Sequence, residues 1–313
     1  MMTDRDSRNE EFRIDTDLTV VIPTIGRHIL EDCLAALIAG ERLPGAIIIV
    51  DQSSSPEIGE MLRPAADLGV DVTHICSAER GRSLGLNRGL NQVTSRFVAV
   101  TDDDCVPDSN WISALGAHLR NRPDRVFTGK VTTAGAEPVL GTVIRSGSSV
   151  ARRPSPAFDR MSGGNLGLAM DVIRKVGLFD EDPCVRYSED GEWAYRALRQ
   201  QVEIEFVPDV VVCHIGWRKE SARLEQYRGY ARSHAAFFGK YLRRGDAFML
   251  LRSTVHLARS AKRWIKGFVT RDRELAANGR MYTLQFLPGL VAGFRSTMIP
   301  PKLGDSTTGI IES

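Results

Sequence analysis

Four short runs of mainly β-branched apolar residues punctuate the first hundred positions: LTVVIPT (18–24), AIIIVD (46–51), VDVTHIC (70–76) and RFVAV (96–100). Runs this short predict strands, and the first two, continuously apolar, predict strands buried on both faces. The gaps between them have helical length. HILEDCLAALIA (28–39) repeats its apolar positions at helical spacing and stops at Gly40. Residues 57–68 predict a second helix, and SLGLNRGLNQV (83–93) a third that two glycines weaken. Alternation of strand and helix implies an α/β domain, a mixed but mainly parallel sheet with helices on both faces. Ligands of such sheets bind outside the carboxyl ends of the strands. Pro23–Thr24, Asp51 and Asp102–Asp104 all fall at those ends.

Beyond residue 105 the pattern is less regular. Residues 109–119 predict a helix with Ser109 as N-cap. Residues 132–160, rich in Gly, Ser, Pro and Arg, read as a long loop, the kind that serves function or stays disordered. A helix is expected over 170–176, and another over 187–200, where Ser188 and the acids after it suit a helix N-terminus. Residues 202–216 read as one or two strands.

The aspartates in VTDDDC pose a physical question, because three adjacent carboxylates repel one another. A solvated turn would tolerate them. At the mouth of a buried strand they point instead to a divalent cation, which carboxylates at i and i+2 can share and which cancels their repulsion. Hard cations such as Mg²⁺ and Mn²⁺ take oxygen ligands and commonly share them with phosphates.

VVIPT, IIIVDQSS, RGRSLGLNRG, VTDDDC, SGGN, GLFDE and YSEDGEWAYR follow one another in this order. Together they resemble the family 2 inverting glycosyltransferases, enzymes of GT-A fold, over residues 18–217. The resemblance implies transfer of a sugar from a nucleotide-diphosphate sugar to an acceptor hydroxyl, a glycan or lipid-linked saccharide of envelope or polysaccharide synthesis. It implies nucleotide contacts at Pro23, Thr24, Arg27, Asp51, Arg82, Asn87, Asp102 and Asp103. It places Gly163, Gly164 and Asn165 at the donor sugar, and Asp104 on Mn²⁺ or Mg²⁺. Asp190 becomes the general base, with Glu189 as its helper or an acceptor contact. His214 stands between two readings, a structural residue after a strand or a further ligand of the metal site. Trp111 reads as core or as support behind the site. Two other readings share the fold class. A nucleotidyltransferase would carry a Gly-rich phosphate loop after the first strand, where only Gly26 stands, and an inactive carbohydrate- or membrane-binding scaffold would lack the acidic residues.

Charge divides the chain. Residues 218–302 hold 18 Lys/Arg against 5 Asp/Glu, whereas residues 1–217 hold 23 against 32. The expected organisation is a disordered polar N-terminus over 1–17, a catalytic domain over 18–217 and a basic, mostly helical region over 218–313. Within that region 250–268 reads as a two-faced helix. Leu250, Thr254, Leu257, Ala261, Trp264 and Phe268 lie on one side, and Arg252, His256, Arg259, Arg263 and Lys266 on the other. Such a helix either packs on the domain or rests on anionic lipid. Residues 282–300 are apolar but broken by Pro288 and Arg295, so they are expected to reach an interface without spanning it. No nucleic-acid-binding motif accompanies the charge. Five cysteines without a CxxC pair fit reduced thiols. With a polar first segment and no long apolar run, the expectation is a cytoplasmic protein, peripheral at the inner face of the membrane.

Overall fold

The first apolar run becomes the centre of a sheet. In the computed structural model, which describes residues 13–53, 55–134, 142–157, 161–216, 223–305 and 310–311, strand β1 (Ile14–Thr24) pairs in parallel with β2 (Leu43–Asp51) and β4 (Phe97–Thr101), and β3 (Asp71–Ser77) joins beyond β2. Leu18, Val20, Val21 and Ile22 of β1 are sealed from solvent, as a strand covered on both faces requires. Helices α1 (Ile29–Ala39), α2 (Glu57–Asp67) and α3 (Arg82–Gln92) make the crossovers. Gly85 and Gly89 let α3 lie directly on β1: an added Cβ would come within 2.9 Å of Pro23 Cβ and 2.5 Å of Val21 Cγ1. The glycines that weaken the helical pattern in sequence are thus what the packing of this helix demands.

The second half of the sheet was only partly expected. Strands β5 (Cys105–Pro107), β6 (Val126–Thr133), β7 (Ser149–Ala151), β8 (Asn165–Ala169) and β9 (Ile204–His214) extend the order to β3-β2-β1-β4-β8-β6-β9-β5, with β7 on β9. The sheet is mixed, since β8 runs antiparallel to both β4 and β6. Helices α4 (Trp111–Asn121), α5 (Met170–Val176) and α6 (Glu189–Arg199) complete this part. The order leaves β1 flanked by β2 and β4, so the crossover direction reverses between β1 and β4, and a crevice opens at their carboxyl ends.

Several expectations need correction. Ile14–Asp17 belong to β1, so the ordered chain begins before residue 18; residues 1–12 lie outside the described residues. Helix α4 starts at Trp111, two residues later than expected, and its N-cap is Asn110, one residue after Ser109, with no side-chain cap. The 132–160 segment begins inside β6 and contains β7; residues 135–141 and 158–160 of it lie outside the described residues.

Four helices follow, α7 (Arg223–Arg243), α8 (Phe248–Val269), α9 (Arg273–Leu284) and α10 (Phe286–Arg295). Their core is shared with the sheet domain. Val185 and Tyr195 pack with Ala235, Phe237, Phe238, Tyr241, Met249 and Phe286. Lys240 is fully buried and donates to Asp180 Oδ2 at 2.5 Å and Asp182 Oδ2 at 2.9 Å. After α10 the chain returns to the sheet domain. Pro301 O accepts from Leu178 N, Gly304 N donates to Asn91 Oδ1, and a last strand, β10 (Ile310–Ile311), pairs with β3.

The expected faces of α8 are corrected as well. Leu250 and Phe268 are 60% and 79% exposed, while Arg252 is buried, donates to Ser155 O and lies over the Tyr195, Phe237 and Phe248 rings. His256 sits among Phe238, Tyr282 and Phe286, where burial pushes its pKa down to about 3. The guanidinium can enter an aromatic cage because ring faces and a carbonyl replace its water; a reading by apolar spacing assigns it to solvent.

Candidate active site

The carboxyl end of β4 delivers the three aspartates to the crevice, and two arginines meet them. Arg27, on the loop after β1, bridges Asp103 Oδ1 at 2.5 Å and Asp104 Oδ2 at 2.8 Å. Thr24 Oγ1 donates to Asp103 Oδ2 at 2.7 Å. Burial pushes the Asp103 carboxyl up to about 6, against the pull of the Thr24 hydrogen bond and the Arg27 charge. Arg82, at the first turn of α3, donates through Nε to Asp102 Oδ1 at 2.7 Å and lies 3.4 Å, through Nη1, from Glu189 Oε1. The mutual repulsion visible in the sequence is thus relieved in this state by Arg27 and Arg82.

Arg82 joins the two acidic motifs across the crevice. Gly163 and Gly164 make room for that bridge. A Cβ at Gly163 would sit 2.8 Å from Arg82 Nη2, and one at Gly164 would sit 2.8 Å from Asp102 Oδ2. Arg82 Nη2 and Glu189 Oε2 are buried without a hydrogen-bond partner among the described residues. Buried polar atoms of this kind are costly unless a ligand or water completes them.

Glu189 and Asp190 open helix α6, where N–H groups lack intrahelical partners and favour negative charge. They differ in environment. Glu189 is buried, and burial pushes its carboxyl up to about 8; Arg82 draws it down while Asp190 adds to the rise. Asp190 is half-buried, accepts from Gly191 N at 2.7 Å, and makes no ion pair among the described residues. A carboxyl whose folded pKa lies above the unfolded value near 4.5 costs stability as it ionises. Glu189 therefore makes the protein less stable as pH rises from about 4.5 to about 8, by an amount on the order of a few kcal/mol. Urea unfolding at a series of pH values is expected to show Glu189→Gln gaining stability over the parent as pH rises through that window. A pH-independent difference between the two would contradict this.

His214 ends β9. Pairing of β9 with β5 sets it opposite Cys105, and its Nε2 lies 3.6 Å from Asp104 Oδ1. Its Nδ1 is buried without a hydrogen-bond partner among the described residues. Asp102, Asp104 and Cys105 each offer one ligand atom within 4.8 Å of the others. Burial, reinforced by Asp102 and Asp104, raises the Cys105 thiol well above its ordinary value, which leaves carboxylate oxygens and an imidazole as the ready donors. That donor set suits Mn²⁺ or Mg²⁺, so the residues present fit a divalent cation at Asp104 and His214.

Not every expected contact faces the crevice. Asn87 is buried, with its amide donating to Phe179 O and Glu181 Oε1 and accepting from Phe179 N. Asn165 likewise accepts from Trp111 Nε1 and donates to Lys130 O and Val210 O. Both amides are engaged inside the protein, where they fix the segments that carry the site. Trp111, expected as core or support, is buried beneath Asn165. Asp51 is buried at the end of β2; its Oδ1 accepts from Ser53 N at 2.7 Å, and its Oδ2 faces His74 Nε2 at 3.4 Å. Pro23 lies beneath Gly85 at the end of β1. Two residues beside the site carry no advance signal, Cys105 and His74; the first was visible only as the residue after the aspartates, the second only as part of a strand.

Residues 19–172 match the family described as glycosyl transferase family 2. The chain contains a glycosyltransferase family 2 domain. A pre-mycofactocin glycosyltransferase of Mycobacterium tuberculosis is 25% identical over 206 residues, which cover 63% of this chain and 42% of that protein. The chain thus spans less than half the length of that relative. Among solved structures, TarS 1–349 of S. aureus in complex with UDP aligns with a TM-score of 0.54 at 13% identity, over 87% of this chain and 90% of that one. GalNAc-T7 with UDP, GalNAc and Mn²⁺ aligns with a TM-score of 0.54 at 18% identity, over 72% of this chain and 50% of that one. The shared fold is of GT-A type. No helix among the described residues of the chain is long and apolar enough to cross a membrane.

Proposed function

We propose that this chain is an inverting glycosyltransferase that moves a sugar from a nucleotide-diphosphate sugar to an acceptor hydroxyl of a glycan or lipid-linked saccharide, in envelope or polysaccharide synthesis. The observation that carries the reading is the Arg82 bridge, which holds the Asp102–Asp104 cluster and the Glu189–Asp190 pair on opposite sides of one crevice. Asp104 and His214 would hold the cation, Mn²⁺ or Mg²⁺, and when bound it would neutralise charge developing on the departing diphosphate. Asp102 and Asp51 line the nucleotide side. Thr24, Pro23 and Arg27 flank it, and Asp103 holds Arg27 and Thr24 in place. Gly163 and Gly164 leave space for the donor sugar. Asp190, free of an ion pair among the described residues, takes the proton from the acceptor hydroxyl. Glu189, raised to about 8, stays largely protonated at neutral pH, so it positions the acceptor or Asp190 rather than acting as the base.

Titration with UDP tests this. The parent protein is expected to bind UDP at least tenfold more tightly with Mn²⁺ than without, and Asp104→Ala to lose that difference. Equal affinity in all four cases would overturn the reading.

The membrane reading rests on a separate observation. Leu250, Leu251, Ile265, Phe268 and Val269 of α8 are exposed, as are Leu287, Val291 and Phe294 of α10. Arg259, Lys262, Arg263 and Lys266 of α8, with Leu275, line a cavity of about 360 Å³. Apolar side chains bordered by cationic ones suit an anionic bilayer surface. The protein is expected to cosediment with vesicles containing phosphatidylglycerol more than with neutral vesicles, and Ile265→Ser with Phe268→Ser to reduce this severalfold. Equal sedimentation of parent and variant would remove the proposal.

A further inference from the structure

A second cluster of metal-ligating side chains lies apart from Asp104 and His214. Parallel pairing of β2 and β3 sets Asp51 beside Cys76 and Ile49 beside His74. His74 and Cys76, two residues apart on one strand, point to the same face. One atom, His74 Nε2, lies 3.4 Å from Asp51 Oδ2 and 3.9 Å from Cys76 Sγ. All three donor atoms fall within 4.8 Å of one another.

These distances carry chemical information. Zinc binds carboxylate oxygen and imidazole nitrogen near 2.0–2.2 Å and thiolate near 2.3 Å in tetrahedral arrangement, so neighbouring ligands sit about 3.3 to 3.6 Å apart. The carboxylate and imidazole already have that spacing, and the sulfur lies a few tenths of an ångström beyond it from the imidazole and within 4.8 Å of the carboxylate. Asp51 Oδ1 is held by Ser53 N at 2.7 Å and Ser53 Oγ at 2.5 Å, leaving Oδ2 aimed at the cluster. Oriented ligands of this kind bind metal more tightly than mobile ones. The His74 side chain is 23% exposed, which gives an ion a way in from solvent. Three protein ligands leave a fourth position for water.

We propose that Asp51, His74 and Cys76 form a binding site for a thiophilic divalent cation, zinc foremost, and that its occupation blocks nucleotide binding. Binding would displace the Cys76 proton and place the thiolate, the imidazole and the carboxylate on the ion. The thiolate separates this site from the oxygen-rich one at Asp104, which suits Mn²⁺ and Mg²⁺. The blocking half rests on the proposed function, in which Asp51 contacts the nucleobase; the binding half does not. An ion on Asp51 Oδ2 would take the acceptor that the base requires.

Zinc and cobalt titrations of the reduced full chain, without nucleotide, test the binding half. In an Asp104→Ala background, which removes the other cation site, one Zn²⁺ is expected to bind, with affinity lowered tenfold or more when Cys76→Ser or His74→Ala is added. Co²⁺ is expected to give a thiolate-to-metal charge-transfer band that Cys76→Ser abolishes. Zinc affinity indifferent to Cys76→Ser, or absence of the band from the parent protein, would overturn the site. UDP titration with saturating Zn²⁺ tests the blocking half. A tenfold or greater loss of UDP affinity is expected in the parent and not in Cys76→Ser; equal UDP affinity with and without Zn²⁺ in the parent would overturn it. Because the metal titrations contain no nucleotide, failure of the family-based reading and failure of the site give different results.

Discussion

Asp190→Asn is expected to lower sugar transfer by about 10²- to 10⁴-fold while donor affinity stays within about twofold of the parent. Asparagine keeps the size of the side chain and can still accept from Gly191 N, so the opening of α6 is preserved. What it loses is the capacity to take a proton. Glu189 does not substitute, because its burial, which the variant leaves in place, still holds its carboxyl above the ordinary range and Arg82 lies on its Oε1 side. The separate effects on transfer and on donor binding distinguish loss of a base from loss of structure. If Asp190→Asn kept most of its turnover while Glu189→Gln lost it, the roles given to the two carboxylates would be reversed.

Lys240→Ala is expected to destabilise the protein by about 3 to 5 kcal/mol, because it leaves Asp180 and Asp182 buried without their cation. For a chain of this size that corresponds to a fall in Tm of roughly 5 to 8 °C. Asp180 already resists ionisation through burial and the charge of Glu192, with Lys240 acting against both. The Ser296 hydroxyl donates to Asp182, so the same cluster ties the end of α10 to the segment before α6. Ser233 of α7 reinforces the joint, accepting from Tyr187 N at 3.1 Å and sharing a hydrogen bond of 3.0 Å with Ser188. The basic helical region thus anchors the turn that presents Glu189 and Asp190. A thermal shift below about 2 °C for Lys240→Ala would show that the cluster is not a principal link.

How far the fold was legible depended on where each strand lies. The central stretches of β1, β2 and β4 are buried on both faces, and continuous apolar sequence announced them; β3 is half-buried and mixes polar residues with its apolar ones. β6 and β8 escaped notice because VFTGKVTT and NLGLA mix glycine and polar residues with the apolar ones. Their glycines serve close approach instead: Gly129 would bring a Cβ within 1.8 Å of Val210 O, and Gly167 within 2.5 Å of Leu115 Cδ2. β5 and β7 have only three residues each, too short for any periodicity.

The acidic residues of the site were legible because isolated carboxylates at strand ends have no role in a core. The structural part played by Asn87 and Asn165 was not legible. An amide inside a motif looks like a ligand contact, yet it serves equally well to close buried backbone hydrogen bonds, and only the partners distinguish the two. The Arg82 bridge from Asp102 to Glu189 joins residues 20 and 107 positions away from it. No spacing rule reaches that far. Arg252 fell outside the pattern in the same way, since its cage comes from Tyr195, Phe237 and Phe248.

The most direct measurement is the anomalous scattering of manganese in crystals grown with UDP and Mn²⁺. The expected result is a single strong peak within coordinating distance of Asp104 and His214, with the diphosphate against it and the base toward Asp51. Nucleotide bound with the manganese peak elsewhere, or with no peak at that position, would contradict the account.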